Sequence, residues 1–139
     1  MNIEIKISEQ ELSIDECFSF INDIRYGGNC LFVGTVRNHS NNEDITHLDF
    51  ESYRPMAIKE LSKIAQVVEE KYQDIKIYIS HFVGHAPLGT KVVIIGVATK
   101  HRKASFEACA YIIDTLKETV PIWKKEFLEN GSYWVNARP

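Results

Sequence analysis

Basic side chains crowd into one short stretch of this otherwise acidic chain, and together they have the chemistry of an anion site. Six of them lie between His101 and Lys125, although the 139 residues carry a formal net charge of −3. Cations at the start of a helix oppose the helix macrodipole, at a cost of about 0.3–1 kcal/mol each. We therefore expect a bound anion to offset that cost, and this stretch is the first candidate for a functional site.

Lys117 and Lys124 are the candidate catalytic pair within this stretch. On a straight helix they would share one face about 10 Å apart, because they are separated by two turns. Pro121 lies between them and breaks or kinks the helix, and the neighbouring Trp123 can shield one lysine from water. Desolvation lowers the pKa of a lysine and makes its amine available as a nucleophile or base. The alternative is an ordinary solvated helix face.

His101 and Arg102 stand between an apolar strand at 91–99 and the helix that follows it. The start of a helix after a strand binds phosphate or carboxylate, because free N–H groups and the macrodipole converge there. Arg102 can add a bidentate fork and His101 a titratable donor. The alternative for this pair is a solvent-facing turn.

Arg37 ends another apolar strand and opens a polar loop, NHSNNED. It could form the opposite wall of an anion pocket with the basic stretch, or it could pair with Glu43 or Asp44. Arg138 is one residue from the end of the sequence, and its position by itself indicates only a tail charge.

Neither the histidines nor the cysteines form a recognisable metal or disulfide pattern. His81 and His85 flank a turn, but no further ligands stand at the usual spacing, so we predict no metal site and no cofactor. Cys17, Cys30 and Cys109 are odd in number and far apart. This pattern favours free thiols in a reducing cytosol over a disulfide framework.

Composition narrows the class of protein. The chain is 45% hydrophobic and 25% charged, with a pI near 5.9, which indicates one globular domain over residues 1–139. The acidic balance argues against nucleic acid as a partner. The first ten residues alternate apolar and charged side chains, so they predict neither a signal peptide nor a membrane anchor. We accordingly expect a cytoplasmic protein with no membrane contact.

Hydrophobic periodicity predicts an α+β fold. Alternating or apolar runs predict strands at 2–7, 29–37, 45–53, 75–82 and 91–99, with an edge strand at SYWV near the end. The runs 29–37 and 45–53 are expected to form one long hairpin, and GHAPLG a turn. The strands should form a mixed, mainly antiparallel sheet with helices packed against it.

Three helices are expected between the strands. The first begins with a capping box at Ser13 and Glu16 and is expected to stop at Gly27-Gly28. The second runs from Pro55 to about residue 72, and the third begins near residue 103. After Pro121 a short helical turn is expected to resume through WKKEF.

Four separated blocks then reveal a resemblance. The segments VGTVRNHS, FESYRPMA, HRKASFEACAYIIDTLKETVPIWKKE and WVNAR, spread over roughly residues 28–138, are similar to the large, catalytic subunits of molybdopterin synthase. The match keeps the order and spacing of the blocks. One departure is visible, since the loop after Arg37 lacks the glycine often found there.

This resemblance implies a fold, an assembly and a reaction. The fold would be an α/β-hammerhead, in a homodimer that binds a small ubiquitin-like sulfur-carrier subunit at each end to give a heterotetramer. The reaction would convert cyclic pyranopterin monophosphate (precursor Z) into molybdopterin, with two sulfurs delivered as a C-terminal thiocarboxylate on the carrier. The resemblance assigns catalysis to Lys117 and Lys124. It assigns substrate binding to Arg37, His101, Arg102 and Arg138, the last reaching the neighbouring subunit's pocket.

Two other functions are compatible with the same basic groove. The chain could be a non-catalytic module that binds an acidic C-terminal peptide, in which case it would bind the carrier without converting the precursor. It could also be a small protein that binds a phosphorylated ligand with no carrier present.

Overall fold

The structure is a computed structural model that describes residues 1–40, 43–129 and 131–134. Within these residues the chain forms nine strands and three helices. In chain order they are β1 Ile3–Ser8, α1 Ile14–Ile21, β2 Gly28–Thr35, β3 His39–Ser40, β4 Glu43–Ser52, α2 Arg54–Tyr72, β5 Ile75–Phe82, β6 Gly84–Pro87, β7 Lys91–Thr99, α3 Arg102–Thr119, β8 Ile122–Leu128 and β9 Gly131–Trp134. The predicted α+β class is confirmed.

The first sheet has the strand order β1-β5-β7-β2. Its centre is β7, which is apolar and buried from Val92 to Ala98, as the uninterrupted hydrophobic run predicts. The β1–β5 pair is parallel, while β7 is antiparallel to both of its neighbours. All three helices pack against this sheet. Each fully buried leucine or isoleucine in this core stabilises the fold by about 1.5–3 kcal/mol.

The second sheet is built around β4, which pairs with β8 along one edge and with β6 along the other. The short β3 adds to the start of β4, and β9 pairs with the outer edge of β8. All of these pairs are antiparallel, so the strands are mixed and mainly antiparallel, as expected. They nevertheless form two sheets, whereas the sequence suggested one.

The predicted long hairpin between residues 29–37 and 45–53 is wrong. The strand β2 pairs with β7, and β4 lies in the other sheet. The segment expected to be a turn, GHAPLG, instead begins with β6, which extends along β4. Periodicity reveals which residues are extended, but it does not reveal which strands pair.

Helix α1 is shorter than predicted. The Ser13 hydroxyl accepts a hydrogen bond from the Glu16 backbone N–H at 3.1 Å, which confirms the expected cap. The Glu16 carboxylate pairs with Lys6 on β1, so the reciprocal half of the capping box is not seen. Cys17, Phe18, Ile21 and Ile24 are apolar residues at helical spacing, but only Cys17 and Ile21 are buried. Phe18 is 44% exposed, and Ile24 is fully exposed beyond the end of the helix.

The predicted helical turn after Pro121 is also wrong. Val120 caps α3 in an extended conformation, which the residue before a proline favours. The chain then continues as β8, with Ile122 and Glu126 buried. The strand pairs with β4 along one edge and, from Lys125 to Leu128, with β9 along the other.

No helix in the described part of the chain is long and apolar enough to cross a membrane.

Candidate functional site

A cavity of about 370 Å³ opens where the end of α3 meets the two sheets. Three cations from three separate elements line it: Arg37 just after β2, Lys117 in the last turn of α3, and Lys124 in β8. We call them the cavity cluster. None of the three forms an ion pair with a residue in the described part of the chain. Of the two alternatives for Arg37, an ion pair with Glu43 or Asp44 is therefore not seen.

Lys124 is the partly desolvated lysine that the sequence predicted. Burial lowers its pKa, and the neighbouring charges of Lys117 and Arg37 lower it further, while Glu126 acts in the opposite direction. These causes favour the neutral amine more than in a solvent-exposed lysine. The arrangement suits a group that accepts or donates a proton or attacks a carbonyl.

Lys117 reaches the cavity from a different kind of position. It is exposed and lies in the last turn of α3, where the negative end of the helix macrodipole favours a cation. The helix ends before Pro121, as the predicted break implies, and Lys124 lies on a strand, so the two lysines do not share a helix face. The turn at Pro121 brings both of them to the same cavity.

Sequence reasoning missed two buried polar residues of this cavity. Glu126 is 3% exposed, and its Oε1 has no hydrogen-bond partner among the described residues. It shares a face of β8 with Ile122 and Lys124, because side chains alternate along a strand. Hydrophobic periodicity gave no signal for this strand, because IWKKEFL does not alternate apolar and polar residues, and WKKEF was interpreted as a helical turn.

The second missed residue is His81, which is 2% exposed and lies against the Phe50 ring at 5.4 Å between centroids. Desolvation lowers the pKa of His81 to about 4. The imidazole is therefore neutral at pH 7, and its Nδ1 donates to the Phe82 carbonyl at 2.8 Å. In this tautomer Nε2 is left as a hydrogen-bond acceptor.

His101 and Arg102 lie in a different place from the cavity cluster. With Lys100 and Lys103 they line a separate recess at the start of α3, and all four are exposed. We call them the N-terminal cluster. Arg102 and Lys117 are fifteen positions apart on the helix, which is about 22 Å at 1.5 Å per residue. Within one chain, the pocket that the sequence suggested between Arg37 and His101-Arg102 is therefore not formed.

Gly28 explains how β2 can approach this recess. A Cβ at Gly28 would lie 2.8 Å from the Arg102 backbone nitrogen, so a side chain here would displace the start of α3. The remaining predicted residue, Arg138, lies outside the described residues.

Comparison with known proteins identifies the family to which this chain belongs. The family model described as "MoaE protein" matches residues 7–119. The chain belongs to the MoaE family. The prediction from the four sequence blocks is thereby confirmed.

Individual relatives agree with the family match. The chain is 38% identical over 134 residues to "Molybdopterin synthase catalytic subunit 1" of Mycobacterium tuberculosis, covering 96% of this chain and 91% of the relative. It is 42% identical over 132 residues to "Molybdopterin synthase catalytic subunit" of Dictyostelium discoideum, covering 94% and 84%. These names confirm the predicted enzyme class and its place in molybdenum cofactor biosynthesis.

The fold agrees with a crystal structure of a MoaE-family relative. The structure described as molybdopterin synthase from Staphylococcus aureus superimposes with a TM-score of 0.90 at 33% identity, covering 94% of this chain and 95% of that one. The fold of this chain is therefore that of the solved structure.

Proposed function

We propose that the cavity cluster is where this MoaE-family enzyme transfers sulfur to a phosphorylated pterin. The main support for this proposal is that Arg37, Lys117 and Lys124 line one cavity. None of the three forms an ion pair within the described residues. Both reactants of the proposed reaction are anionic. They are cyclic pyranopterin monophosphate and the C-terminal thiocarboxylate of a small ubiquitin-like carrier subunit.

The three cations lie in different environments, which suggests a different role for each. Arg37 carries a permanent charge with a planar fork and is suited to hold phosphate. Lys117 is exposed and helix-terminal, so it is suited to orient the thiocarboxylate. Its amine is also suited to attack the thiocarboxyl carbon, so that an amide forms as the carbon–sulfur bond breaks and the sulfur passes to the pterin. Lys124 has a lowered pKa and is suited to proton transfer or to stabilising an oxyanion as sulfur adds to the pterin.

His101 and Arg102 enter the proposal through a second copy of the chain. About 22 Å of helix separates Arg102 from Lys117, so one small substrate cannot touch both ends of α3 in a single chain. We propose that in a homodimer His101 and Arg102 help to hold the substrate in the partner's cavity, and that Arg138 does the same. With one carrier bound to each copy, the assembly would be a heterotetramer.

The proposed setting is the cytoplasm. Support comes from Cys17, Cys30 and Cys109, which are all free thiols, a state that a reducing compartment maintains.

The decisive experiment measures molybdopterin formed from precursor Z and thiocarboxylated carrier. We expect Lys117→Ala and Lys124→Ala each to lower the rate by about 100-fold or more, since each removes a group that meets charge developing in the reaction. Lys71→Ala is the matched control, because Lys71 occupies the last turn of α2 as Lys117 does in α3.

Two results would contradict the proposal. Near wild-type rates in folded Lys117→Ala and Lys124→Ala would remove the catalytic assignment. Tight carrier binding with no conversion by the wild-type chain would instead favour a peptide-binding module.

A further inference from the structure

Three ligand-type side chains meet on the face of the second sheet that points away from the cavity. His47, Asp49 and His85 each offer one ligand atom, and these atoms lie within 4.8 Å of one another. Leu48 and Phe50, the residues that alternate with them along β4, line the cavity. The three residues therefore form a cluster distinct from the proposed reaction site.

We propose that His47, Asp49 and His85 form a binding site for a zinc ion that joins β4 to β6. The pairing of the strands places them together, because Asp49 lies directly opposite His85 and His47 lies two residues along the same strand. Residues at these positions share one face of an antiparallel pair. The site does not depend on the sulfur-transfer proposal.

The orientation of His47 is fixed in a way that suits ligation. Its ring stacks on Phe127 with centroids 4.1 Å apart and planes 16° from parallel. The Thr46 hydroxyl donates to the Phe127 carbonyl at 3.0 Å, so toward His47 Nδ1, 3.2 Å away, it can only accept. His47 therefore carries its proton on Nδ1 and presents the lone pair of Nε2. Such outer hydrogen bonds fix the tautomer of metal-binding histidines.

Asp49 and His85 are held side by side by a hydrogen bond. His85 Nδ1 lies 3.1 Å from Asp49 Oδ1. Since a carboxylate has two oxygens and an imidazole two nitrogens, this contact does not exhaust the ligating capacity of either group. The side chains are 61% and 38% exposed, so an ion can reach them from solvent.

The donor set favours zinc over the hard divalent ions. Two imidazoles and one carboxylate suit zinc, which binds such ligands at about 2.0–2.2 Å with a tetrahedral arrangement. Ligand atoms in that geometry lie about 3.4 Å apart, so the observed spread requires small side-chain rotations at an open surface. Three protein ligands leave one position for water. Magnesium and calcium prefer oxygen ligands and should not bind.

Sequence reasoning paired His85 with His81 and found no further ligands. In the structure His81 is buried on the cavity side, and the partners of His85 come from β4, about forty residues earlier in the chain. The ligand spacing was therefore invisible along the sequence, because strand pairing creates it.

Lys125 and the three cysteines bear on the measurement of zinc binding. Lys125 lies opposite Asp49 on the neighbouring strand, with its Nζ 5.2 Å from the Phe127 ring centroid, and its charge will weaken attraction for a cation. Burial raises the pKa of Cys17 and of Cys109 to about 12, so these thiols do not compete for zinc at neutral pH. Cys30 is half-buried, and a Cys30→Ser background removes its thiol.

The test is calorimetric titration of zinc chloride into the tag-free, full-length Cys30→Ser chain. We expect saturable binding of one ion per chain, a higher melting temperature with zinc than with magnesium, and X-ray absorption that shows two imidazole nitrogens on the metal. His85→Ala and the isosteric Asp49→Asn should each weaken binding by about tenfold or more. His39→Ala is the matched control, because it removes an exposed histidine outside the cluster.

Equal zinc affinity in the Cys30→Ser parent, His85→Ala and Asp49→Asn would overturn the proposal, as would the absence of binding by the parent. Asp49→Asn changes no side-chain volume, so it remains informative even if a histidine variant folds poorly. Loss of zinc binding without loss of molybdopterin formation would leave the sulfur-transfer proposal intact.

Discussion

The two ends of helix α3 carry similar charge in different surroundings. At its start, Arg102 and Lys103 belong to a continuous basic run that is exposed to solvent. At its end, Lys117 meets Arg37 and Lys124, which arrive from different elements and enclose a cavity. There, burial lowers the pKa of the half-buried Lys124, and the charges of Lys117 and Arg37 lower it further.

This difference in surroundings shows that a basic segment in a sequence reveals where charge is, but not which charges will be desolvated. The run at 100–103 is visible as a charge cluster, and the structure leaves it exposed at the start of α3. The cavity cluster is assembled by the turn at Pro121 and by the end of β2. Desolvation and mutual repulsion arise only through this convergence, and they are what change the chemistry of a lysine.

The largest expected effect is on the rate of molybdopterin formation, when lysine and arginine are exchanged at Lys124 and at Arg102. Lys124→Arg keeps the positive charge but installs a group that cannot lose its proton. If Lys124 transfers protons, the rate of molybdopterin formation should fall by about 100-fold or more. Arg102→Lys should cost only about tenfold, because it removes a bidentate contact and keeps the charge. Similar losses for both variants in the same assay would break the comparison.

The second effect is on stability and concerns His81 in the cavity. An unfolded histidine takes up a proton near pH 6.5, whereas folded His81 does so only near pH 4. Between these values the unfolded state binds more protons, so the free energy of unfolding falls as the pH falls. The contribution of this group over the window is about 3 kcal/mol.

Urea unfolding at pH 7 and pH 4.5 checks this value in the wild type and in His81→Gln. The variant should lose less stability on acidification, while His39→Gln, which alters an exposed histidine, should behave as the wild type does. If His81→Gln does not fold, NMR titration of the His81 ring in the wild type provides the same information. A midpoint near 6.5 would contradict the burial argument.

The smallest effect sharpens the electrostatics around Lys124. Glu126 is the neighbour that raises the pKa of Lys124 against burial and the two nearby cations. Glu126→Gln should therefore lower that pKa further, which NMR titration of carbon-13-labelled lysine would measure directly. Glu118→Gln is the control, because Glu118 is exposed at the end of α3. An unchanged pKa in Glu126→Gln would show that the carboxylate does not reach Lys124.

Much of the local structure could be predicted from the sequence. The run from Val92 to Ala98 identified a central strand, and the serine cap located the start of α1. The stripe of small and apolar residues placed α2 almost to its ends. These features depend on neighbours within a few residues, so periodicity and capping chemistry report them.

Strand pairing and burial depend on distant segments, and there the sequence predictions failed. The order of the strands concealed that β2 and β4 lie in different sheets. The helical interpretation of WKKEF concealed Glu126, since a helix period and a strand period place different residues on the inner face. The family resemblance grouped Lys117, Lys124 and Arg37, which line one cavity. The sequence placed His101 and Arg102 correctly at the start of α3, but it also grouped them with Arg37, whereas they line a separate recess.

The central position of β7 has a consequence for how the chain folds during synthesis. Both β2 and β5 pair with β7, so neither strand has its main partner until residues 91–99 have been made. The β1–β5 pair can form earlier, but it presents an open edge of β5. A nascent chain of about ninety residues therefore exposes unpaired strand edges, which favour association between chains. Emergence of β7 from the ribosome closes both edges in one event.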